Sequence, residues 1–272
     1  MRAVGIILAG GNNNRMKELT HKRAVAAMPI AGSYRSIDFA LSNMTNSHIQ
    51  KVAVLTQYNA RSLNEHLNSS KWWNFGRKQG GLYVFTPTIT NDNGYWYRGT
   101  ADAIYQNMDF LKKSHEPYVV IASGDAVYKM DYSKVLQYHI DKKADVTVVC
   151  KEMDPSDDVS RFGTIRMDDD MRITEFEEKP MVTKSNMIST GIYVIRRRLL
   201  IDLIEHAAEE ERFDFVNDVL IRYKNLKRIY GYKIDSYWSN ISTVESYYKT
   251  NMDFLKPEIR NYFLKQEPAV KT

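Results

Sequence analysis

The sequence has little cysteine and no long apolar run, and each absence excludes a class of protein. Its 272 residues include one cysteine, Cys150, so a disulfide framework cannot form within the chain. Cys150 lies in the apolar run "DVTVVC", where a buried strand residue is far commoner than a nucleophile. No apolar stretch approaches the roughly 20 residues that span a bilayer. We therefore expect a protein of a reducing compartment, the cytoplasm, without a membrane partner.

A strong excess of charge of either sign is also missing. The chain has 38 Lys and Arg against 33 Asp and Glu, a net charge of +5. The two signs alternate along predicted helices and are not gathered into a basic arm, so we expect no nucleic-acid partner. The length allows one large α/β domain or two small ones, with a substantial core in either case.

The sequence does contain an alternation of strand and helix patterns. Short, β-branched apolar runs are typical of parallel strands buried on both faces, and they are "AVGIILAG", "KVAVLT", "YVVIAS" and "ADVTVVC". Between them, "SYRSIDFALSNMTNS" places Ile37, Leu41 and Met44 on one helical face, and "TADAIYQNMDFLKK" repeats this spacing. The alternation predicts an α/β fold with a doubly wound, mostly parallel sheet.

Two later regions depart from this alternation. Between residues 161 and 195, "FGTIRMD", "RITEFEEKP" and "ISTGIYVI" are strand-like with turns between them, which predicts a small antiparallel extension of the sheet. Residues 243 to 255, "TVESYYKTNMDFL", predict a closing helix, and the pattern loosens after Pro257.

The segment "ILAGGNNNRMKELT" ends a strand with the glycine pair Gly10 and Gly11. Ligands of such sheets bind beyond the carboxyl ends of the strands, and backbone N–H groups of a glycine loop suit a phosphate. A plain turn explains a lone glycine pair equally well. A dinucleotide-binding domain would need G-x-G-x-x-G and an acidic residue about 20 positions later. Neither is present, so a hydride-transfer enzyme is disfavoured.

The segment "YVVIASGDAVYKMDY" places Asp125 directly after a buried strand and a glycine. Mg²⁺ in such sites is bound by one or two carboxylates together with substrate phosphates. A helix N-cap is an equally good interpretation of Asp125 from the sequence alone.

Most of the chain resembles the glucose-1-phosphate adenylyltransferase (ADP-glucose pyrophosphorylase) family. The resemblance begins with "ILAGGNNNRMKELTHKRAVAAMPIAGSYRSIDFALSNMTNSHIQKVAVLTQYNARSLNEHL" and continues through "WYRGTADAIYQN", "SGDAVYKMDY", "FGTIRMDDDMRITEFEEKP", "STGIYVI", "FDFVNDVL" and "YWSNIST". It implies a Rossmann-like (GT-A-like) nucleotidyltransferase domain over residues 1–256. It also implies a left-handed β-helix domain after it, so we expect a truncated chain in which residues 257–272 are a linker toward that domain.

The resemblance implies a reaction in which the phosphate of glucose 1-phosphate attacks the α-phosphorus of ATP and expels pyrophosphate. Catalysis of this kind is mostly positioning and neutralisation of charge, with Mg²⁺ as cofactor. Catalytic members have a loop G-G-x-G-x-R-L, a lysine in R-A-K-P-A-V-P, and metal-binding aspartates in S-G-D and Y-W-x-D-[IV]-G-T. By this matching the retained catalytic and metal positions are Gly10, Gly11, Arg15 and Asp125.

The departures from the family pattern fall on the same chemistry. Asn13 replaces the loop glycine, Val25 replaces the lysine, and Asn240 with Ser242 replaces the aspartate and glycine of the last motif. Valine supplies no charge, and the amide of Asn240 is a neutral ligand where an anion is expected. We therefore expect Mg²⁺ binding to be weak or lost, in a regulatory subunit that works beside a catalytic sister subunit in a tetramer.

The sugar side of the site is expected to be better preserved. The positions that match family contacts to glucose 1-phosphate are Glu178, Lys179, Ser189, Gly191 and Asp218. The resemblance makes Lys179 the phosphate contact, whereas ordinary solvated charges at strand ends are the plainer interpretation. Glucose 1-phosphate or ADP-glucose is the expected ligand.

Two further groups of residues match the nucleotide side and the effector site of the family. The remaining nucleotide positions are Gln57, Tyr97, Gly99 and Thr100. The basic positions are Lys22, Arg23 and Arg35, where members of the family receive phosphorylated effectors, although three cations alone also suit a solvated face. Three functions stay open at this point: an impaired regulatory subunit, an active adenylyltransferase, and a sugar-phosphate sensor without a catalytic partner.

Overall fold

The computed structural model describes residues 2–12, 14–76, 80–88, 94 and 96–272. The strands among them are β1 (Ala3–Ala9), β2 (Pro29–Ile30), β3 (Tyr34–Arg35), β4 (Lys51–Thr56), β5 (Gly81–Phe85), β6 (Tyr118–Ser123), β7 (Ala126–Tyr128), β8 (Val146–Glu152), β9 (Gly163–Met167), β10 (Ile173–Glu178), β11 (Met187–Arg196), β12 (Ile229–Ile234) and β13 (Trp238–Asn240).

The helices in the same part of the chain are mostly short. The α-helices are α1 (Ser36–Asn46), α2 (Arg61–Leu67), α3 (Thr100–Gln106), α4 (Met108–Lys112), α5 (Tyr132–Asp141), α6 (Arg197–Glu209), α7 (Val244–Asp253) and α8 (Pro257–Arg260). The 3₁₀ turns are Asn14–Thr20, Val25–Ala27 and Ser70–Trp73, and the π-helical turns are Phe215–Ile221 and Asn261–Lys265.

The predicted fold class is confirmed: the chain is α/β, with a mostly parallel central sheet, helices and small antiparallel sheets. β1, β4 and β5 pair in parallel, and so do β12 and β8. β11 runs antiparallel to β6 and β8, and β9 and β10 form the antiparallel extension predicted between residues 161 and 195. The two-stranded sheets β13–β7 and β2–β3 are antiparallel.

Contacts divide the chain into two compact units. Unit 1 contains Met1–Ala3, Ile89–Ile121 and Ser133–Asp235. Unit 2 contains Val4–Thr88, Ala122–Tyr132 and Ser236–Thr272. Each unit therefore contains segments that are remote from one another in the sequence.

The predicted amphipathic faces account for the burial of the helices. Ile37, Leu41 and Met44 of α1 are fully buried, as expected from their spacing. The helix predicted from "TADAIYQNMDFLKK" is divided into α3 and α4 at Asn107, where φ is −112° and ψ is 24°. The Asn107 amide donates to the carbonyl oxygen of Ala103 at 2.9 Å, a local bond that competes with a continuous helix.

A cluster of apolar side chains at the core of unit 2, here called the Phe39 cluster, joins the beginning of the chain to its last residues. The Phe39 ring lies 5.4 Å from that of Phe263 and 6.0 Å from that of Phe254, centroid to centroid. The buried members are Met16, Val25, Met28, Ile30, Phe39, Val127, Ile241, Phe254, Phe263 and Val270. Burial of these side chains stabilises unit 2 through the hydrophobic effect.

Residues 257–272 pack onto unit 2 along most of their length. The ammonium group of Lys129 donates to the carbonyl oxygens of Tyr262 and Gln266 at 2.7 and 2.6 Å. The indole N–H of Trp73 donates to the carbonyl oxygen of Lys271 at 3.1 Å. Side-chain donors thus satisfy backbone carbonyls at the end of the chain. A second domain after this segment stays a prediction.

Among the described residues, the helices are all too short or too polar to traverse a lipid bilayer.

Candidate functional site

The glycine loop follows β1 at the carboxyl end of the parallel pair β1–β4. Ala9 is opposite Thr56 in this pair, so Gly10 and Gln57 both follow directly after it. A Cβ on Gly10 would lie 3.2 Å from the Gln57 Cβ and 3.4 Å from its backbone nitrogen, whereas a Cβ on Gly11 would meet no atom of the described residues within 4 Å. Gly10 therefore permits close packing of the strand ends, and Gly11 leaves room for a ligand to approach the backbone.

Asn13, the predicted replacement of a loop glycine, lies outside the described residues. Arg15 is described and exposed, in the 3₁₀ turn that begins at Asn14. Its predicted catalytic role stays a prediction.

The turn that contains Asp125 packs against the end of β1. The Gly124 N–H donates to the carbonyl oxygen of Leu8 at 3.0 Å. A Cβ on Gly124 would lie 3.2 Å from the Cβ of Ala26 and 3.4 Å from that of Ala9. The glycine before Asp125 thus lets three segments meet: the end of β1, the 3₁₀ turn Val25–Ala27 and the Asp125 turn.

Residue 25, where the family pattern predicts a lysine, is a valine that packs among apolar side chains. Val25 is 7% exposed and belongs to the Phe39 cluster, together with Val127 and Ile241. Val127 lies in β7 just after Asp125, and Ile241 directly follows Asn240. An ammonium group at residue 25 would have to leave this cluster or be buried in it, and burial of an unpaired charge is strongly unfavourable.

Asn240 lies beside Asp125 because β13 pairs with β7, with Asn240 opposite Ala126. The backbone N–H of Ile241 donates to the Asp125 carbonyl oxygen at 3.0 Å, and Nδ2 of Asn240 donates to the same oxygen at 3.4 Å. Oδ1 of Asn240 accepts the backbone N–H of Ser242 at 3.0 Å. Both polar atoms of the amide therefore have partners within the protein.

The side chains around Asp125 offer few of the ligands that the implied magnesium site requires. Asp125 supplies one carboxylate, whose Oδ1 accepts the Ser123 hydroxyl at 2.5 Å. Asn240 directs a hydrogen-bond donor at the turn, and its oxygen already accepts a backbone N–H. Over the described ranges, no three His, Cys, Asp or Glu side chains group as metal ligands. These residues do not fit a site that needs two anionic ligands.

Two of the three predicted effector residues come together in unit 2. The Arg35 guanidinium donates to the carbonyl oxygen of Ala27 at 2.9 Å, next to the 3₁₀ turn that contains Val25. Burial raises the pKa of the Tyr247 phenol, while the positive charges of Arg23 and Arg35 act in the opposite direction. Both guanidinium groups are thus close enough to influence one side chain of α7. Lys22 is exposed.

Tyr97, Gly99 and Thr100 lie in unit 1, where Gly99 and Thr100 contact the segment from Phe213 to Phe215. A Cβ on Gly99 would lie 2.3 Å from the carbonyl oxygen of Phe213, a distance that only glycine tolerates. The Thr100 hydroxyl accepts the backbone N–H of Phe215 at 2.9 Å. Tyr97 is buried and accepts the Asn107 amide at 2.9 Å. These contacts give all three residues a structural role, and nucleotide binding by them stays a prediction.

Glu178 and Lys179 lie at the end of β10 in unit 1. The Lys179 ammonium is 3.2 Å from Oε1 of Glu178, and its side chain is 62% exposed against 16% for Glu178. Burial raises the pKa of the Glu178 carboxyl, the positive charge of Lys179 lowers it, and the negative charge of Asp214 raises it. An exposed ammonium held beside a half-buried carboxylate suits a phosphate ligand.

The remaining predicted sugar residues have partners within unit 1. The Ser189 hydroxyl is 3.2 Å from the Tyr193 hydroxyl, and Gly191 has a φ of 75°, a conformation that favours glycine. Asp218 Oδ2 accepts the backbone N–H groups of Phe213 and Asp214 at 3.1 and 2.9 Å. Asp218 therefore orders the segment that begins the π-helical turn.

Asp214 and Tyr193 interact electrostatically with Glu178, and neither was predicted from the sequence. The negative charges of Glu178 and Asp214 both add to the raised pKa of Tyr193, whose first cause is burial. The charge of Asp214 thus acts on the surroundings of Glu178, which its place in "FDFVND" did not indicate. Asp214 also accepts the N–H of Asn217 at 2.7 Å as a helix N-cap, and this cap was the available sequence signal.

A glycine loop at the carboxyl end of a parallel pair, an aspartate beside it and a lysine–glutamate pair are features of a nucleotide-transferring enzyme fold. Residues 4–257 match the model of the nucleotidyl transferase family. Glucose-1-phosphate adenylyltransferases are similar over more than nine tenths of the chain. That of Thermosipho melanesiensis (strain DSM 12029 / CIP 104789 / BI429) is 41% identical over 256 residues, which is 93% of this chain and 62% of the relative.

Two further glucose-1-phosphate adenylyltransferases are similar to the same extent. That of Clostridium novyi (strain NT) is 43% identical over 255 residues, covering 93% of this chain and 66% of the relative. That of Bacillus cereus (strain Q1) is 42% identical over 260 residues, covering 94% and 69%. The chain therefore belongs to the nucleotidyl transferases and, within them, to the glucose-1-phosphate adenylyltransferase family. It spans 62% to 69% of the length of these three relatives.

Proposed function

We propose that the chain is part of a regulatory, catalytically impaired subunit of a glucose-1-phosphate adenylyltransferase that serves glycogen biosynthesis in the cytoplasm. It would work beside a catalytic sister subunit in a hetero-oligomer, as a tetramer. Its own ligand would be glucose 1-phosphate or ADP-glucose, and a phosphorylated effector would bind near Arg23 and Arg35.

One observation carries this proposal: Asp125 is the only charged residue among positions 25, 125 and 240. Transfer of a nucleotidyl group concentrates negative charge on the phosphates, and an enzyme lowers the barrier mainly by placing cations there. Val25 directs a methyl-bearing side chain into the Phe39 cluster. Asn240 closes a turn with its amide. When bound, Mg²⁺ would supply charge neutralisation, but the residues beside Asp125 hold it weakly or not at all.

The sugar side supports binding without turnover. Lys179 carries an exposed ammonium next to the half-buried Glu178 carboxylate, so it can contact a phosphate while Glu178 accepts sugar hydroxyl groups. Asp214 adds a second acceptor on the same side of unit 1. A subunit with this side intact can favour one state of an assembly, because coupling requires only differential binding to two states.

The test is pyrophosphate release from ATP, Mg²⁺ and glucose 1-phosphate by the intact protein, alone and mixed with a catalytic sister subunit. The proposal predicts slow release by the protein alone and a changed rate or effector response of the sister. Ordinary turnover by the isolated protein would identify an active adenylyltransferase. An unchanged sister enzyme, together with tight sugar-phosphate binding, would favour a sensor that acts without a catalytic partner.

A further inference from the structure

Asp125 is held from two directions by groups of its own unit. The Ser123 hydroxyl donates to its carboxylate, and the carbonyl oxygen of Asp125 accepts the N–H of Ile241 and the amide N–H of Asn240. Gly124, just before it, donates to Leu8 at 3.0 Å. The turn is thus tied to β1 on one side and to the end of β13 on the other.

The Asn240 amide contributes one of these ties and makes a second hydrogen bond to its own segment, and the two bonds need opposite atoms. Its Nδ2 group donates to the carbonyl oxygen of Asp125, and its Oδ1 accepts the N–H of Ser242. An amide offers a donor and an acceptor on two separate atoms of one short side chain, whereas an ionised carboxylate only accepts. A carboxylate could keep the bond to Ser242. It would, however, direct a second oxygen at the carbonyl oxygen of Asp125, and it would add a second negative charge to a turn that already carries the Asp125 carboxylate.

We infer that Asn240 is a positioning residue that closes the Asp125 turn without a divalent cation. The amide neutralises nothing, but it joins the end of β13 to the turn by hydrogen bonds alone. With a carboxylate at residue 240, the same closure would place two anions side by side and would require a cation between them. The geometry of Asp125 in this chain is therefore independent of Mg²⁺.

Thermal unfolding of the intact protein in EDTA and in millimolar Mg²⁺, without substrates, tests this role. The wild-type midpoint should be the same in both solutions. Asn240→Asp should lower the midpoint in EDTA by about 2–4 °C, because a hydrogen bond is lost and two carboxylates come together. Mg²⁺ should restore most of this loss. Asn240→Ala should lower the midpoint in both solutions, since it offers the cation no ligand.

Asn46 offers a matched control in the same unit. It is half-buried like Asn240, and its Nδ2 donates to the carbonyl oxygen of Ala269 at 3.3 Å. Asn46→Asp should cost a similar number of degrees, and Mg²⁺ should not restore them. The different response to the cation separates a specific role beside Asp125 from general destabilisation.

Hydrogen exchange gives a local readout should the global midpoints move little. The N–H groups of Ile241 and Ser242 should exchange faster in Asn240→Asp with EDTA and return to wild-type protection with Mg²⁺. A wild-type protein stabilised by Mg²⁺, or an Asn240→Asp variant indifferent to it, would overturn the role. No step of these measurements depends on turnover, so an active wild-type enzyme would contradict the proposed function and leave this role standing.

Discussion

The region around Asp125 in unit 2, the proposed phosphate end, and the region around Lys179 in unit 1, the proposed sugar end, differ in how their polar groups are used. At the phosphate end, Val25 packs among apolar side chains and the Asn240 amide is occupied by backbone partners. At the sugar end, Lys179 keeps an exposed ammonium beside Glu178. Under the proposed function, residues 25 and 240 serve packing and turn closure in the first region, whereas Lys179 offers a charge to a ligand in the second. A fold can thus lose chemistry without losing architecture.

The largest expected effect concerns catalysis at the phosphate end. Alone, the intact protein should turn over at least about 10²-fold more slowly than a catalytic relative, because a phosphate cation and an anionic metal ligand are both absent. Pyrophosphate release under saturating substrates measures this. Val25→Lys combined with Asn240→Asp should raise the rate more than either change alone, because both act on one transition state.

The double variant carries a structural cost that needs its own measurement. Val25 lies in the Phe39 cluster, so a lysine there should lower the free energy of unfolding. Rates are therefore compared at a temperature where circular dichroism shows the variant folded. A folded double variant with no gain in rate would mean that residues 25 and 240 are not the cause of the low rate.

The next effect concerns affinity at the sugar end. Lys179→Ala should weaken binding of glucose 1-phosphate or ADP-glucose by about 10-fold to 100-fold, since a charge-assisted contact to phosphate is lost. Lys184→Ala is the control. Lys184 pairs with Glu177 at 3.2 Å, the same distance as in the Lys179–Glu178 pair, and its side chain is similarly exposed. Equal losses in the two variants would assign the effect to surface charge and not to a site.

Acid should weaken unit 1 through a buried histidine. Burial, and then the positive charge of Arg196, lowers the pKa of His139 to about 4. The ordinary pKa of histidine is about 6.5. Between pH 6.5 and pH 4, therefore, this histidine binds a proton in the unfolded chain and stays neutral in the folded chain. The free energy of unfolding should therefore fall by about 1–3 kcal/mol as the pH decreases from about 6.5 to 4.

Urea unfolding at pH 7, 6 and 5 measures this dependence. His139→Asn should flatten it, because asparagine can still bond to Thr147, the present partner of Nδ1 at 2.8 Å, and does not titrate. Hydrogen exchange in β8, which contains Thr147, should increase in acid more than exchange in β4 of unit 2. Equal increases of hydrogen exchange in β8 and β4 would contradict a loss of stability specific to unit 1.

The smallest expected effect is on the effector response. Arg23→Ala should reduce activation of a sister subunit by a phosphorylated effector a few-fold and leave co-purification intact, because one phosphate contact is lost from a site distinct from the whole interface. Arg61→Ala removes the same charge from an exposed position of α2 and should change nothing. A response that survives in Arg23→Ala would separate Arg23 from effector binding.

More of the fold than of the candidate site could be predicted from the sequence. Apolar runs predicted β1, β4, β6 and β8 to within a few residues, since strands buried on both faces have a strong pattern. The end of the chain was harder, because "EIRNYFLKQEPAV" has no clear period. The burial of Phe263 and Val270 depends on contacts with the Phe39 cluster that only the folded chain reveals.

A motif marked some of the candidate residues, whereas contacts that form only on folding could not be predicted. The motif around Asp125 and Asn240 placed both correctly beside one another. It could not show that the Asn240 amide would bond to the Asp125 carbonyl oxygen. Asp214 was not predicted because its effect on Glu178 depends on how two segments of unit 1 fold together. Helix capping was the simpler interpretation of an aspartate at this position.

Calorimetric titration of the intact protein with glucose 1-phosphate and, separately, with Mg-ATP tests the difference between the two ends most directly. With charge kept at Lys179 and lost around Asp125, the sugar phosphate should bind with measurable heat and Mg-ATP should bind at least about tenfold more weakly. Tight binding of Mg-ATP without binding of glucose 1-phosphate would contradict the account, because the ligand would then bind at the end that lacks the expected cations.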